Sequence, residues 1–368
     1  MKKIFRNRYV IIVSIAAMLF MSACSASSNS SSTSSSTASS QASSKASTSS
    51  GNNTSSGNVN VTVDNNSANN NNANIKNVAP PNQPPVNSGT AGKSPTVNVL
   101  SKGTAAIKPG SIPAVQVANE DEFAKLIVAN LSTGQDVAVN FQSSITKENY
   151  VDKAIKIVET SGYSGYVSGI STAAYNNVGY ITFNYKGDKN SFLTKIAAVN
   201  AKVQQIVASQ VQPNMSDYDK ELALHDYLAN NTNYDYNNVV SDTIPDDSFT
   251  AYGALIKGTA VCEGFAEAMY KLLSQAQMKA YIINGYGNGV PHEWNLVNIN
   301  GGIYHLDPTF DTPVSTGGKV ITHNYFNVND EEISKDHNWD LTAGYPKTYA
   351  IAANYFVVNN LMADNKSK

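Results

Sequence analysis

The sequence predicts an α+β protein: a core of helices packed on an antiparallel sheet, preceded by a small α+β unit and a disordered tether. Three observations predict it. From Ser25 to about Gly92 the chain is Ser, Asn, Thr, Ala and Gly with almost no large apolar residue, so it cannot bury enough surface to offset its ordering entropy. From Ile112 to about Gln212, helical apolar spacing alternates with short β-branched and aromatic runs. From Met215 onward, two helical patterns precede short strands separated by glycine-containing turns.

The first residues read as an export signal. Lys2, Lys3, Arg6 and Arg8 form a basic stub, Tyr9 to Met21 an apolar run short for a bilayer span, and Met21-Ser22-Ala23-Cys24 a small-residue processing site. That last run resembles a bacterial lipobox, with Met21 where Leu is usual. The resemblance implies a signal peptide over 1–23, cleavage before Cys24 and diacylation of its sulfur. Residues 24–110 would then be a lipid-anchored linker, locally stiffer around Pro80 to Pro85, holding a folded body off the outer face of the cell membrane. A plain signal peptide, giving a secreted protein, is the alternative.

The chain has two cysteines. With Cys24 acylated, Cys262 is the one thiol left and has no intramolecular partner. A free cysteine is most often a buried, inert small hydrophobe, so the flanking residues must decide its role. The formal net charge of −2, with no Lys/Arg-rich patch interleaved with aromatics, argues against nucleic acid as a partner.

Residues 111–212 read as the small unit. Asn119-Glu120-Asp121-Glu122 opens a helix and Val137 to Phe141 is a strand. Glu148 to Glu159 has helical spacing at Val151, Ala154, Ile155 and Val158. Tyr163 to Ser171 and Val178 to Tyr185 form a hairpin about Tyr175-Asn176-Asn177, and Ser191 to Val211 is a long amphipathic helix. No set of nucleophile, base and acid gathers here.

Residues 213–368 read as the second body. Ser216 and Asp219 fit a capping box, with Leu222, His225 and Leu228 on one helical face, so His225 reads as packed rather than as a base. Thr259 to Gln275 is a loop entering a helix, with Cys262 in its first turn and Phe265, Ala268, Met269 and Leu272 as its buried stripe. Lys279 to Gly285, Glu293 to Ile299 and Ile303 to Leu306 are strands, the last two joined at Gly301-Gly302. Antiparallel pairing there brings His292 and Asp307 together.

A thiol, an imidazole and a carboxylate in that order are the groups that activate a sulfur nucleophile. The helix start and an imidazolium would lower the Cys262 pKa from about 8.5. Asp307 would fix the His292 tautomer, and the Cys262 backbone N–H would face an oxyanion.

The runs Ala251-Tyr252-Gly253-Ala254-Leu255, Val261-Cys262-Glu263-Gly264-Phe265-Ala266, Gly285, His292-Glu293-Trp294-Asn295 and Tyr304-His305-Leu306-Asp307-Pro308-Thr309 resemble the transglutaminase-like superfamily, and within it the bacterial secreted branch. Asn233-Tyr234-Asp235 and His337-Asn338-Trp339-Asp340 extend the likeness, from about 213 to 345. It implies a papain-like cysteine-protease-type core with Cys262, His292 and Asp307 in catalytic positions. Glu263 follows the nucleophile where animal cross-linking enzymes place tryptophan. The two tryptophans, Trp294 and Trp339, offer no aromatic tunnel for lysine, and no calcium site is evident.

Trp294 and Asn295 read as packing or hydrogen-bonding beneath the site, and Tyr252 as packing, with lining an acyl pocket or donating to the oxyanion as the alternatives; the three are the candidates for the substrate pocket. His305 reads as meeting solvent or a neighbour. His323 and His337 have no partners at metal-ligand spacing, so no metal or other cofactor is expected. The resulting expectation is a surface cysteine acyl-transfer enzyme acting on amide or peptide bonds through a thioester, its partner a protein or a peptide, cell-wall peptide included. Water as acceptor gives a protease or amidase; an amine gives cross-linking. The alternative is a non-catalytic adhesion or scaffold protein that keeps the fold.

Overall fold

The computed structural model describes residues 100–315 and 318–348. The expected signal peptide, Cys24 and nearly all of the tether lie outside them. The described residues belong to one compact unit, and none of their helices is long and apolar enough to cross a membrane.

The first part comprises β1 (Ser101–Thr104), α1 (Glu120–Ser132), β2 (Val137–Asn140), α2 (Tyr150–Glu159), β3 (Val167–Tyr175) and β4 (Val178–Tyr185). Its strands lie in the order β1-β3-β4-β2, with β1 parallel to β3 and the other pairs antiparallel. Ordered backbone thus begins before the expected boundary at 110, because β1 completes the β3 edge. The Asn119 side chain accepts the Glu122 N–H and caps α1, and three acidic residues in its first turn suit the positive end of the helix dipole. Phe123, Ile127 and Leu131, four apart, form its buried stripe.

α3 (Lys189–Gln210) serves both halves of the unit. Phe192 and Ile196 pack in the core under the first sheet, whereas Val199, Val203 and Ile206 pack in the second core. The boundary read at 212 therefore falls just beyond a helix that belongs to both cores.

The second part runs α4 (Asp217–Asn231), β5 (Asn233–Tyr234), α5 (Tyr236–Val240), β6 (Thr259–Ala260), α6 (Cys262–Gln275), β7 (Ala280–Gly287), β8 (Val290–Ile299), β9 (Gly302–Leu306), β10 (Phe326–Val328), α7 (Asp330–Ile333) and β11 (His337–Trp339). The expected capping box is present on α4, with the Ser216 side chain on the Asp219 N–H and the Asp219 carboxylate on the Ser216 N–H. An antiparallel sheet in the order β10-β9-β8-β7-β11 carries α4 and α6 on one face. Its other face packs Ile283, Trp294, Leu296, Phe310, Tyr325, Val328 and Ile333.

Two tight turns set the register. Asn288 and Gly289 (φ 50° and 80°) join β7 to β8, and Asn300 and Gly301 (φ 51° and 89°) join β8 to β9. Both pairs adopt positive φ at the two central positions, as the twist of a two-residue hairpin demands, and Asn-Gly satisfies that at least cost. The second turn sits one residue earlier than the expected Gly301-Gly302, since Gly302 already pairs with Ile299 as the first residue of β9.

Gly264, in the first turn of α6, faces the Ser248 and Thr250 carbonyl oxygens and the Ala260 side chain. A Cβ added there would stand 2.7–2.9 Å from all three. We expect Gly264→Ala to cost about 1–3 kcal/mol, because backbone and not a flexible side chain would have to yield. A thermal unfolding midpoint unchanged from the parent protein would refute that close approach.

Candidate active site

Cys262 is the first residue of α6. Val261, extended at φ −94° and ψ 179°, turns the chain into the helix, and the Val261 N–H donates to the Ser248 carbonyl. This fixes the sulfur at a helix N-terminus, where the first N–H groups lack intrahelical acceptors and the dipole is positive. The side chain is buried, and the Glu293 backbone N–H donates to its sulfur. The sulfur therefore lies against β8 one residue past His292.

His292 sits near the start of β8, opposite Gly285 of β7. Its Nε2 lies 2.6 Å from Asp307 Oδ2, and its buried Nδ1 has no hydrogen-bond partner. The ring stacks on Trp294 at 5.8 Å and 18° and packs against Phe310 at 4.8 Å. Gly287 is part of this arrangement, because a Cβ there would stand 3.1 Å from the His292 ring and 2.9 Å from Phe310.

Asp307 follows β9 directly. Its Oδ1 accepts the backbone N–H groups of Thr309 (2.9 Å) and Phe310 (3.2 Å), and its Oδ2 takes His292 Nε2 and, at 3.0 Å, His337 Nε2. Burial disfavours its charge, but the two imidazoles and these hydrogen bonds outweigh burial and hold the carboxyl well below the usual range. Sequence spacing gave His337 no partner; the pairing of β11 with β7 supplies one.

The expected lowered thiol is overturned. Burial pushes the Cys262 thiol up, a charge on Glu293 would add to that, and the Glu293 N–H opposes burial without reversing it. Glu263 and Asp307 push the same way. Glu293, itself buried, is pushed far above the carboxylate range by burial and by neighbouring Glu263, Glu267 and Glu159.

Trp294 and Asn295, candidates for the substrate pocket, are fully buried and lie beneath the site. The Trp294 indole N–H donates to His305 Nδ1 at 2.9 Å, and His305 Nε2 lies 2.9 Å from Asp330 Oδ1. Since indole only donates, Nδ1 is the bare nitrogen of His305, and burial holds this imidazole below its ordinary value. His305 thus meets neighbours and not solvent. Asn295 Nδ2 donates to the Ala266 and Tyr281 carbonyls, tying α6 to β7. Tyr252 packs at the junction of the two cores, its N–H on the Tyr166 hydroxyl and its ring beneath Lys195 and Lys257.

Tyr234 belongs to the site although the sequence reading gave it no role. β5 pairs Tyr234 with Ala260, two residues before Cys262. Burial, followed by the charges of Cys262, Asp235 and Asp307, pushes its hydroxyl above the ordinary tyrosine value.

Two groups gather imidazoles around one carboxylate: His292, Asp307 and His337, and His225, Asp226 and His323. In the second, His225 Nδ1 and His323 Nε2 lie 3.0 and 2.7 Å from Asp226 Oδ1. Ligands about 2.0–2.2 Å from a tetrahedral metal stand about 3.3 Å apart, so both groups have hydrogen-bond spacing. His225 Nε2 also faces Asp311 Oδ2 at 3.3 Å.

Residues 204–308 match the family described as Transglutaminase-like superfamily, so the chain carries a transglutaminase-like domain, and the match spans Cys262, His292 and Asp307. No curated protein matches the chain. Among solved structures, a TGase is 17% identical with a TM-score of 0.29, over 55% of this chain and 62% of that one. A candidate cysteine protease from Cytophaga hutchinsonii is 17% identical with a TM-score of 0.26, over 41% and 64%. An arylamine N-acetyltransferase from Bacillus cereus is 10% identical with a TM-score of 0.23, over 30% and 48%. The chain thus spans less than two thirds of each of these relatives.

The buried charges set a pH profile for stability. Burial raises Glu221 to about 8, against the lowering effect of the Asn327 amide and His225. Burial opposes a charge on His225, but Asp226 and Asp311 raise it to about 9. In each case the native state binds the extra proton, so the stabilisation is full below the unfolded value and is lost as pH rises through the folded one. Asp307 and Asp226, held low, act in the opposite sense and lose their contribution below about pH 4. We expect the unfolding midpoint to peak near about pH 5 and to decline toward about pH 9. Calorimetry of Glu221→Gln across that range should show a shallower decline, and an unaltered slope would refute the raised carboxyl.

Proposed function

We propose, starting from a transglutaminase-like domain over residues 204–308, that this protein is a cysteine acyl-transfer enzyme acting on carboxamide or peptide bonds. The observation that supports this most directly is the unpartnered Nδ1 of His292, on a ring whose Nε2 is held 2.6 Å from Asp307, one residue before the Glu293 N–H that donates to the Cys262 sulfur. With Nε2–H donating to the carboxylate, the lone pair of Nδ1 is left to act as base.

In the reaction the proton of Cys262 moves to His292 Nδ1 as the sulfur bonds to the substrate carbonyl carbon. The carbonyl electron pair moves to oxygen, with the Cys262 backbone N–H and the Tyr234 hydroxyl as candidate donors. The carbon–nitrogen bond then breaks, and the departing amine takes the proton from His292. A thioester remains, which water or a primary amine resolves with His292 again as base. Water yields hydrolysis and an amine yields cross-linking.

The basic stub, apolar run and Cys24 support an exported protein anchored through lipid, or secreted if that cysteine is not acylated. Together with the long polar tether they favour protein and peptide substrates at the cell surface, cell-wall peptides included.

To test this, the protein is incubated with a casein-like protein, wall peptide fragments and a labelled primary amine, and the products are weighed by mass spectrometry. Acyl transfer to water or amine is expected, with a thioester adduct on Cys262. Cys262→Ala and His292→Ala are each expected to lose about 10⁴-fold or more in kcat/KM. Full turnover in Cys262→Ala would refute the mechanism. No turnover by the parent protein on any of these substrates would favour the scaffold reading.

A further inference from the structure

We propose that His337 is a positioning residue: protonated on both ring nitrogens, it shares the carboxylate of Asp307 with His292, fixes that carboxylate, and keeps the cysteine–histidine pair uncharged until substrate is bound. The proposal rests on the catalytic reading above and adds a second imidazole to it.

The argument is a count of donors and acceptors. Asp307 Oδ1 is occupied by two backbone N–H groups, and Oδ2 faces an imidazole nitrogen from each of His292 and His337. An ionised carboxylate only accepts, so both of those nitrogens carry protons. The other nitrogen of His337, Nδ1, lies 2.6 Å from Asp336 Oδ1, and the Tyr325 hydroxyl donates to Asp336 Oδ2. Asp336 is thereby an acceptor on both oxygens, and His337 Nδ1 must carry a proton too. A neutral imidazole has one N–H, whereas His337 is asked for two. The groups facing it are Asp307, Asp336, Tyr325, His292 and His305. Burial opposes its charge, and the two carboxylates overcome that and raise it to about 9.

His337 lies on β11, the edge strand that pairs with Gly287 of β7. The absence of a side chain at Gly287 leaves space for the His292 ring beside it. The centroids of the His292 and His337 rings are 5.3 Å apart. With one cation already there, a second on His292 would be repelled across that gap in a buried setting. The titratable groups facing His292 are Asp307 and His337, and the Asp307 carboxylate also opposes a resting thiolate at Cys262. The proton therefore leaves the sulfur in step with attack rather than beforehand.

Two measurements on the full chain test this without any substrate. Nitrogen NMR of labelled histidine should show His337, one of five histidines, protonated on both ring nitrogens at pH 7. Alkylation of Cys262 by iodoacetamide, followed against pH, should move to lower pH by about one to two units in His337→Gln, since removing a nearby cation makes the charged pair accessible. Asp336→Asn, which keeps the imidazole but removes its second acceptor, should move the profile the same way by less, and it serves if His337→Gln does not fold. Where turnover is measurable, both variants should lower kcat more than they raise KM. A single ring proton on His337 at pH 7, or superimposable alkylation profiles in folded variants, would overturn the proposal and leave the catalytic role of Cys262 to be judged by turnover alone.

Discussion

The carboxylate of Asp307 is the interaction on which the site depends. It is fully buried, and an ionised carboxylate taken out of water is tolerated when its lone pairs are filled. Four donors fill them: two backbone N–H groups of its own turn and two imidazoles from different strands. The same turn continues to Asp311, whose N–H donates to the Asp307 carbonyl and whose Oδ1 accepts from Thr322 and from the Tyr325 N–H. Asp311 Oδ2 in turn faces His225 on α4. One short segment after β9 thus ties His292, the edge strand β11 and the helix on the opposite face of the sheet into a single network. Removing one partner would strand a charge where water cannot reach it.

That network works only in one register. Side chains alternate along a strand, so His292, Trp294 and Leu296 share one face of β8 while Glu293, Asn295 and Val297 face α6. A slip of one residue would turn His292 toward the helix and place Glu293 at Asp307. The two Asn-Gly turns prevent it, since each fixes a two-residue loop with both φ values positive on either side of β8. Gly285 contributes by admitting the Trp294 ring, to which a Cβ would approach within 2.7 Å, and that ring supports the imidazole.

Local signals made much of this readable. The Ser216-Asp219 box, the helical stripe behind Cys262 and the strand over Glu293 to Ile299 all rest on signals within a few residues, and the structure keeps each of them. The adjacency of His292 and Asp307 followed from one hairpin. Non-local features were not legible. His337 reaches Asp307 through the pairing of β11 with β7, and Tyr234 reaches the sulfur through a two-residue parallel pair with β6. Spacing along the chain says nothing about either. The state of the thiol was misjudged for a related reason: a helix N-terminus is visible in sequence, whereas complete burial beside Glu293 and Glu263 is a product of tertiary packing.

A neutral, buried thiol also makes chemical sense at the cell surface, the setting proposed for this chain. Oxidation to sulfenic acid proceeds through the thiolate, and its rate follows thiolate fraction and exposure. Cys262 is 4% exposed and held as the thiol, so it offers an oxidant little of either. A preformed thiolate–imidazolium pair would be a better nucleophile and a more vulnerable one. Placing a second imidazole on Asp307 moves the balance toward protection while leaving the bare nitrogen of His292 in place. In the proposed reaction, charge separation is deferred to the moment when a carbonyl oxygen can take the negative charge and the first N–H groups of α6 can receive it. The energy of the helix end is reserved for the transition state, where a stronger interaction accelerates the reaction.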